Sequence, residues 1–363
     1  MSDRSIVARR IYLPQEATSE DRAIVIDAHA HLVTPDSLYA NGMVSLAAQG
    51  GHGRIPVKAS DDDVQACARR NLAVMDSVGT DVQLLSPRPF TLLHSRGPRT
   101  FVEAWVAANN DVIARTVRLA PSRFAGVAAL PQMPGQPVSI AFEELERCVA
   151  LGFVGVLVNP DPSEGTGSPP RLDDEYWYPL YEKLVQYDLP ALVHGAGCYN
   201  GREYYYEHFA SEETLAVTAL ARSTVFRDFP ALKIMIAHAG GSVPFQIGRW
   251  RAQFSGLKEL GKADDAESFD ARVRRLWYDT CIYTPSALEM LFREIGWDRC
   301  LFGTEKPGSG SATDPKTGRD YDDIRPVIDG LSCLDAQKRH AIFEGNARAL
   351  FTRLALPVAA GVA

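Results

Sequence analysis

The sequence predicts a single (β/α)8 TIM barrel, and three features carry that expectation. Eight short runs rich in Val, Ile, Leu and Phe recur along the chain, apolar at almost every position. Longer segments with helical amphipathicity separate them, and each apolar run closes on a polar or ionisable residue. Strands that are apolar throughout are buried on both faces, as a parallel sheet flanked by helices requires. Repeated alternation of strand and helix then fits a closed barrel. A doubly wound sheet would also alternate, but would place a glycine-rich phosphate loop after its first strand. This chain has "DAHAHLVTPDS" there instead.

In order, the expected strands are "IVIDAHAH" (24–31), "DVQLLSPR" (81–88), "FAGVAALP" (124–131), "FVGVLVNP" (153–160), "PALVHG" (190–195), "LKIMIAHAG" (232–240), "LWYDTCIY" (276–283) and "RCLFGTE" (299–305). Between the first two, "SDDDVQACARRNLAVMDSVG" (60–79) reads as a helix. Ser60 serves as its N-cap, the aspartates of "DDD" (61–63) suit the positive end of the helix dipole, and Gly79 ends it. "SIAFEELERCVALG" (139–152) has the same amphipathic character after the third strand. The stretches "DPSEGTGSPPR" (161–171) and "KPGSGSATDPKTGRD" (306–320) are rich in Gly, Ser and Pro and lack phosphate-loop spacing. They are expected as loops covering a pocket on the strand-end face.

The chain's 363 residues allow one large barrel or two ordinary domains. No linker, repeat or low-complexity tract divides it, so one domain over 24–354 is expected, with an N-terminal arm (1–23) and a C-terminal tail (355–363). A hydrophobic content of 46% with 23% charged residues suits a globular protein with a large core. The net charge of -7 argues against a nucleic-acid surface, since no excess of Lys and Arg is present to neutralise phosphates. No run of 18 apolar residues marks a membrane span. The six cysteines lack C-x-x-C spacing, and the first residues lack the apolar core of a secretory leader. Reduced thiols and a cytoplasmic location follow as expectations.

In a barrel, chemistry sits at the C-terminal ends of the strands. The residues collected there are His29 and His31, Arg88, Asn159, His194, His238, Asp279 and Glu305. His29 and His31 are two apart on one strand and so share a face, with Asp27 one step deeper. A lone strand-end histidine is more often a hydrogen-bonded core residue than a ligand. It is the gathering of several at one rim that argues for a metal. Imidazole nitrogens with a carboxylate oxygen suit zinc, and would also accept manganese or iron. Arg88 is the candidate clamp for a substrate carboxylate, because a guanidinium meets a carboxylate in a two-pronged fork. His94, Asn159 and Cys198 are further candidates for lining the pocket, and "YYY" (204–206) for a rim or subunit contact.

The motifs "DAHAH" (27–31), "VHG" (193–195), "AHAGG" (237–241) and "FGTE" (302–305) resemble the amidohydrolase superfamily. Within it they are most similar to the branch of aminocarboxymuconate-semialdehyde decarboxylase and its relatives, over about residues 24 to 354. That branch ordinarily ends its eighth strand in aspartate, where this chain has Glu305. With that glutamate, "SPR" (86–88), "LPQMPG" (130–135), "NPDPSEG" (159–165), "WYPLYEKLV" (177–185), "HAGGSVPFQIGRWR" (238–251), "DTCIY" (279–283), "DPKTGRDYDD" (314–323) and "HAIFEGNARALF" (340–351) resemble the 4-oxalomesaconate hydratases. The resemblance implies one divalent ion, zinc before manganese or iron, held by His29, His31, His194 and Glu305. It places His238 beside the ion as the proton-transfer group, so that His238, Glu305 and Arg88 form the catalytic set.

The activity so implied is a metal-dependent lyase that adds water to an unsaturated oxo-carboxylic acid, a step of aromatic-compound catabolism. The alternatives are a decarboxylase or C–C/C–N hydrolase of the same superfamily, or a redox-metal oxygenase or hydroxylase subunit on this fold. The expected partners are a small carboxylated substrate and further copies of the chain, as dimer or tetramer, with a hetero-oligomer of related chains as the alternative.

Overall fold

A computed structural model describes residues 24–48, 58–259, 267–308 and 310–355. The arm expected over 1–23 and the tail beyond 355 lie outside the described residues. Eight parallel strands follow one another around the sheet in sequence order. They are β1 (Ile26–Leu32), β2 (Val82–Pro87), β3 (Phe124–Ala129), β4 (Gly155–Val158), β5 (Ala191–Val193), β6 (Ile234–Ile236), β7 (Trp277–Asp279) and β8 (Cys300–Leu301). The seam between last and first is bridged by Ala28 N–H donating to Phe302 O at 2.8 Å and Glu305 N–H to His29 O at 2.7 Å. The expected (β/α)8 barrel is therefore the fold.

Helices α1 (Asp36–Ala48) and α2 (Asp61–Val78) follow β1, α3 (Arg99–Leu119) follows β2, α4 (Phe142–Ala150) β3 and α5 (Tyr178–Tyr187) β4. Beyond β5 come α6 (Tyr205–Arg222) and the short α7 (Val225–Asp228), and beyond β6 come α8 (Val243–Glu259) and α9 (Phe269–Val273). Helix α10 (Pro285–Leu291) follows β7. After β8 come the short α11 (Arg325–Asp329) and then α12 (Ala336–His340) and α13 (Asn346–Leu350), which a π-helical stretch over Ala341–Gly345 joins into one run. Helix α2 has the termini its sequence specifies. Ser60 caps the N–H of Asp63 while the Asp63 carboxylate reaches back to Ser60, and Gly79 closes the helix at φ 72°. Every residue of β1 to β6 and β8 is buried, which accounts for their unbroken apolar character.

The strands are shorter than the apolar runs, and the difference lies at the rim. Pairing of β5, β6 and β8 stops before His194, His238 and Glu305. His238 and Glu305 then take left-handed backbone conformations, at φ 47° and 62°. Non-glycine residues seldom adopt that region, and they keep it where the surroundings over-determine them, commonly at functional sites. In β1 the register against β2 shifts between Asp27 and Ala30, an irregularity that spans His29.

Candidate active site

The cluster forms where the ends of β1, β5 and β8 meet. His29 and His31 point to one face of β1, with their Nε2 atoms 3.2 Å apart. Glu305 Oε1 lies 3.7 Å from His31 Nε2 and 3.8 Å from His194 Nε2. The ligand atoms of His29, His31, His194 and Glu305 all fall within 4.8 Å of one another, and all four residues are buried. Two atoms bound to one tetrahedral ion at ~2.1 Å stand about 3.4 Å apart, so these spacings fit four ligands of a shared cation.

Each imidazole is oriented from behind through Nδ1. His29 Nδ1 meets Asp279 Oδ2 at 2.6 Å, His31 Nδ1 meets Ser86 Oγ at 2.9 Å, and His194 Nδ1 donates to Gly195 O at 2.6 Å. Ser86 Oγ itself donates to Ala30 O, so it accepts from His31. With the proton on Nδ1, each Nε2 presents a lone pair to the centre, the arrangement metal-binding histidines use. Burial pushes the His31 imidazole down to about 3, against the opposing pull of Glu305, and burial lowers His194 as well. Both shifts favour the neutral imidazole that a metal ligand presents. His194 Nε2 is buried with no hydrogen-bond partner, an expense that a cation at this point would remove. The donor set fits a divalent ion.

Asp279 closes β7 and was legible as a strand-end carboxylate without a role. It is fully buried and ties three strands together. Oδ2 accepts from His29 Nδ1 and from His238 N–H at 3.0 Å, while Oδ1 accepts from the N–H groups of Ala239 at 2.9 Å and Cys281 at 3.0 Å. In Asp279→Asn the oxygen would stay with Ala239 and Cys281 and set the new NH2 against two donors. His29 would then lose the acceptor that keeps its proton on Nδ1. Metal affinity should fall by about 10- to 100-fold, read by chelator competition; unchanged affinity would show that Asp279 does not orient His29. Asp27, one step deeper, accepts from Thr304 N–H at 3.0 Å and Thr304 Oγ1 at 2.6 Å, bracing β1 to the chain after β8. Burial raises its carboxyl to about 7.

His238 sits beside the four. Its Nε2 is buried, has no hydrogen-bond partner and lies 3.8 Å from Glu305 Oε1, while its Nδ1 faces Glu213 on α6. Burial disfavours a charged imidazole here, but Glu213 and then Glu305 outweigh it and hold His238 well above its ordinary value. Glu213 was missed in the sequence because it comes from a helix, not a strand end. A glutamate on the apolar face of an otherwise amphipathic helix is the signal that could have found it. Tyr283, whose hydroxyl donates to Glu305 Oε2 at 3.5 Å, was likewise quoted only within a motif.

The pocket-lining candidates divide. Arg88 stands on the rim next to Glu305: Nη2 donates to Pro307 O at 2.6 Å, and Nε is buried without a partner. His94 is buried, and burial pulls it down to about 4. Its Nδ1 accepts from Asn159 Nδ2 at 3.1 Å. Asn159 also donates to Asp161 O and accepts from Asp161 N–H, so its amide is committed to shaping its own loop. Cys198 is not among the four clustered side chains. Its thiol donates to Glu203 O at 3.6 Å, beside His208.

The two loops expected to cover the pocket are tied down. Asp161 accepts from Ser163 and Gly165 and meets His208 of α6 at 3.0 Å. Glu164 accepts from Ser95 at 2.9 Å and Gly197 at 3.2 Å, joining the loops after β2, β4 and β5. In the segment after Glu305, Lys306 Nζ bonds Asp322 and, at 2.9 Å, Asp320, while Gln83 holds the Lys306 carbonyl at 2.9 Å.

Barrel and rim cluster together define the class, a (β/α)8 enzyme with a cluster of histidines and a carboxylate that could hold a divalent ion. The chain belongs to the amidohydrolase family, whose sequence model matches residues 26–353. It is 36% identical over 337 residues to 2-keto-4-carboxy-3-hexenedioate hydratase of a Sphingobium species, covering 91% of this chain and 97% of that protein. The crystal structure of 4-oxalomesaconate hydratase from Rhodopseudomonas palustris superposes with a TM-score of 0.81 at 33% identity, over 91% of this chain and 96% of that one. Dihydroxybenzoic acid decarboxylase from a Polaromonas species, solved with bound manganese, gives 0.68 at 25% identity over 91% and 97% of the two chains. Among the described residues, no helix is long and apolar enough to cross a membrane.

Proposed function

We propose that the protein is a metal-dependent hydro-lyase that adds water across the C=C bond of a small unsaturated oxo-carboxylic acid of the 4-oxalomesaconate type. The observation that carries this reading is the similarity to two hydratases over 91% of the chain, together with a histidine, His238, whose buried Nε2 is unpartnered beside the cluster. His29, His31, His194 and Glu305 would hold the ion, and their nitrogen-rich donor set favours zinc. When bound, a divalent ion supplies Lewis acidity towards water and substrate oxygens. The chain supplies the rest. A double bond conjugated to a carbonyl is electron-poor at its β-carbon, so water adds there and the α-carbon gains a proton. His238 Nε2 would move that proton. Arg88 would anchor a substrate carboxylate, a role that its buried Nε without a partner supports. Six free cysteines support a reducing, cytoplasmic setting.

Turnover of such an acid in H2(18)O, followed by mass spectrometry, tests the reaction. A product carrying one 18O hydroxyl and all of its carbon is expected. Release of CO2, or no turnover of any unsaturated oxo-acid, would overturn hydration in favour of the decarboxylase or oxygen chemistry.

A further inference from the structure

Helix α6 meets the turn that carries His238 with one continuous face. Phe209 stacks on the His238 imidazole, ring centroids 4.1 Å apart and planes 24° from parallel. One turn further on, Glu213 places Oε1 at 2.9 Å and Oε2 at 3.0 Å from His238 Nδ1. Between and beyond them, Ala210 and Thr214 receive the backbone after the histidine, and Thr214 Oγ1 accepts from Ser242 N–H at 2.9 Å. The approach is close enough that a Cβ on Gly241 would stand 2.2 Å from Ala210 O, at a φ of +63°. Residues 209, 210, 213 and 214 lie three and four apart, so one side of the helix makes all of these contacts.

Glu213 is fully buried. Its hydrogen-bond partners among the described residues are His238 Nδ1 and, at 3.4 Å, Gly195 N–H. A carboxylate taken out of water is costly unless it is paired, and this one is paired with His238, which stands beside the four-ligand cluster. With a cation in the neighbouring cluster, a second positive charge on His238 is disfavoured, and a neutral imidazole left alone divides its proton between two nitrogens. An acceptor at Nδ1 settles the division and leaves the lone pair on Nε2.

We propose that Glu213 is a positioning residue for the reaction: it keeps the His238 proton on Nδ1, and with Phe209 fixing the ring plane it presents Nε2 to the substrate. The inference rests on the reading of His238 as the proton-transfer group.

The test is Glu213→Met in the zinc-loaded protein, a change that keeps the length of the side chain and removes both carboxylate oxygens. Nδ1 then has no acceptor to hold its proton. Expected are a full equivalent of metal, a KM within about threefold of the parent and a kcat lower by about 10²-fold or more. Glu213→Gln, whose amide oxygen in the Oε1 position can still accept from Nδ1 and from Gly195 N–H, should retain more of kcat than the Met variant. The second readout is the 15N spectrum of histidine-labelled holoenzyme, in which His238 of the parent should be protonated at Nδ1 and that of the Met variant should divide its proton between the two nitrogens. Parental kcat in Glu213→Met, or a parent His238 protonated on Nε2, overturns the proposal. The spectrum of the parent decides even if the variant does not fold. It needs no substrate, so failure of the hydratase reading would leave this result standing.

Discussion

Replacing His29 and His31 together by alanine is expected to leave the protein without stoichiometric metal and to lower kcat by about 10⁴-fold or more. The two Nε2 atoms lie 3.2 Å apart on one strand and form half of the four-residue cluster. Without them, His194 and Glu305 remain from different strands. Lewis-acid stabilisation is worth several kcal/mol, and each ~1.4 kcal/mol is a factor of ten in rate, which sets the scale of the loss. Elemental analysis of the purified double variant is the measurement, with circular dichroism to establish that the barrel is still folded. A full equivalent of metal in the folded double variant would remove these histidines from the ligand set.

His238→Asn is expected to keep the metal and lose the chemistry. Its imidazole reaches the cluster at 3.8 Å from Glu305 Oε1 and belongs, through Nδ1, to Glu213 instead. Asparagine has no group that exchanges a proton near neutral pH, and general acid–base catalysis is worth about 10²- to 10⁴-fold. A fall in kcat of that size with a full equivalent of metal is the expected pair of results. Loss of the metal would make His238 a ligand and move proton transfer to another group. The double alanine variant loses both metal and activity, while His238→Asn loses activity alone, so the two experiments separate holding the ion from moving the proton.

The barrel was legible because its physical requirements are local. A strand buried on both faces must be apolar throughout, and a helix packed outside it must be amphipathic. Both patterns are written residue by residue, as the agreement of α2 with its Ser60 and Gly79 termini illustrates. The gathering of His29, His31, His194, His238 and Glu305 at one rim followed from the same reading, since strand ends in a barrel share one face. Less legible were residues whose position depends on partners far away in the chain. Asn159 stands at a strand end, yet its amide is taken up by Asp161 and His94. Cys198 follows His194 by four positions but turns towards Glu203.

The sequence by itself determined the architecture, the family and the set of side chains that can bind a cation, because periodicity and strand-end chemistry survive without knowing any distance. Tertiary structure decided how those side chains are used. Asp279 bonds His29 across 250 positions of chain, and Glu213 reaches His238 from a helix outside the sheet. Which nitrogen of an imidazole carries the proton depends on the acceptor behind it. That acceptor is supplied by packing between elements, where no pattern within a single element can specify it.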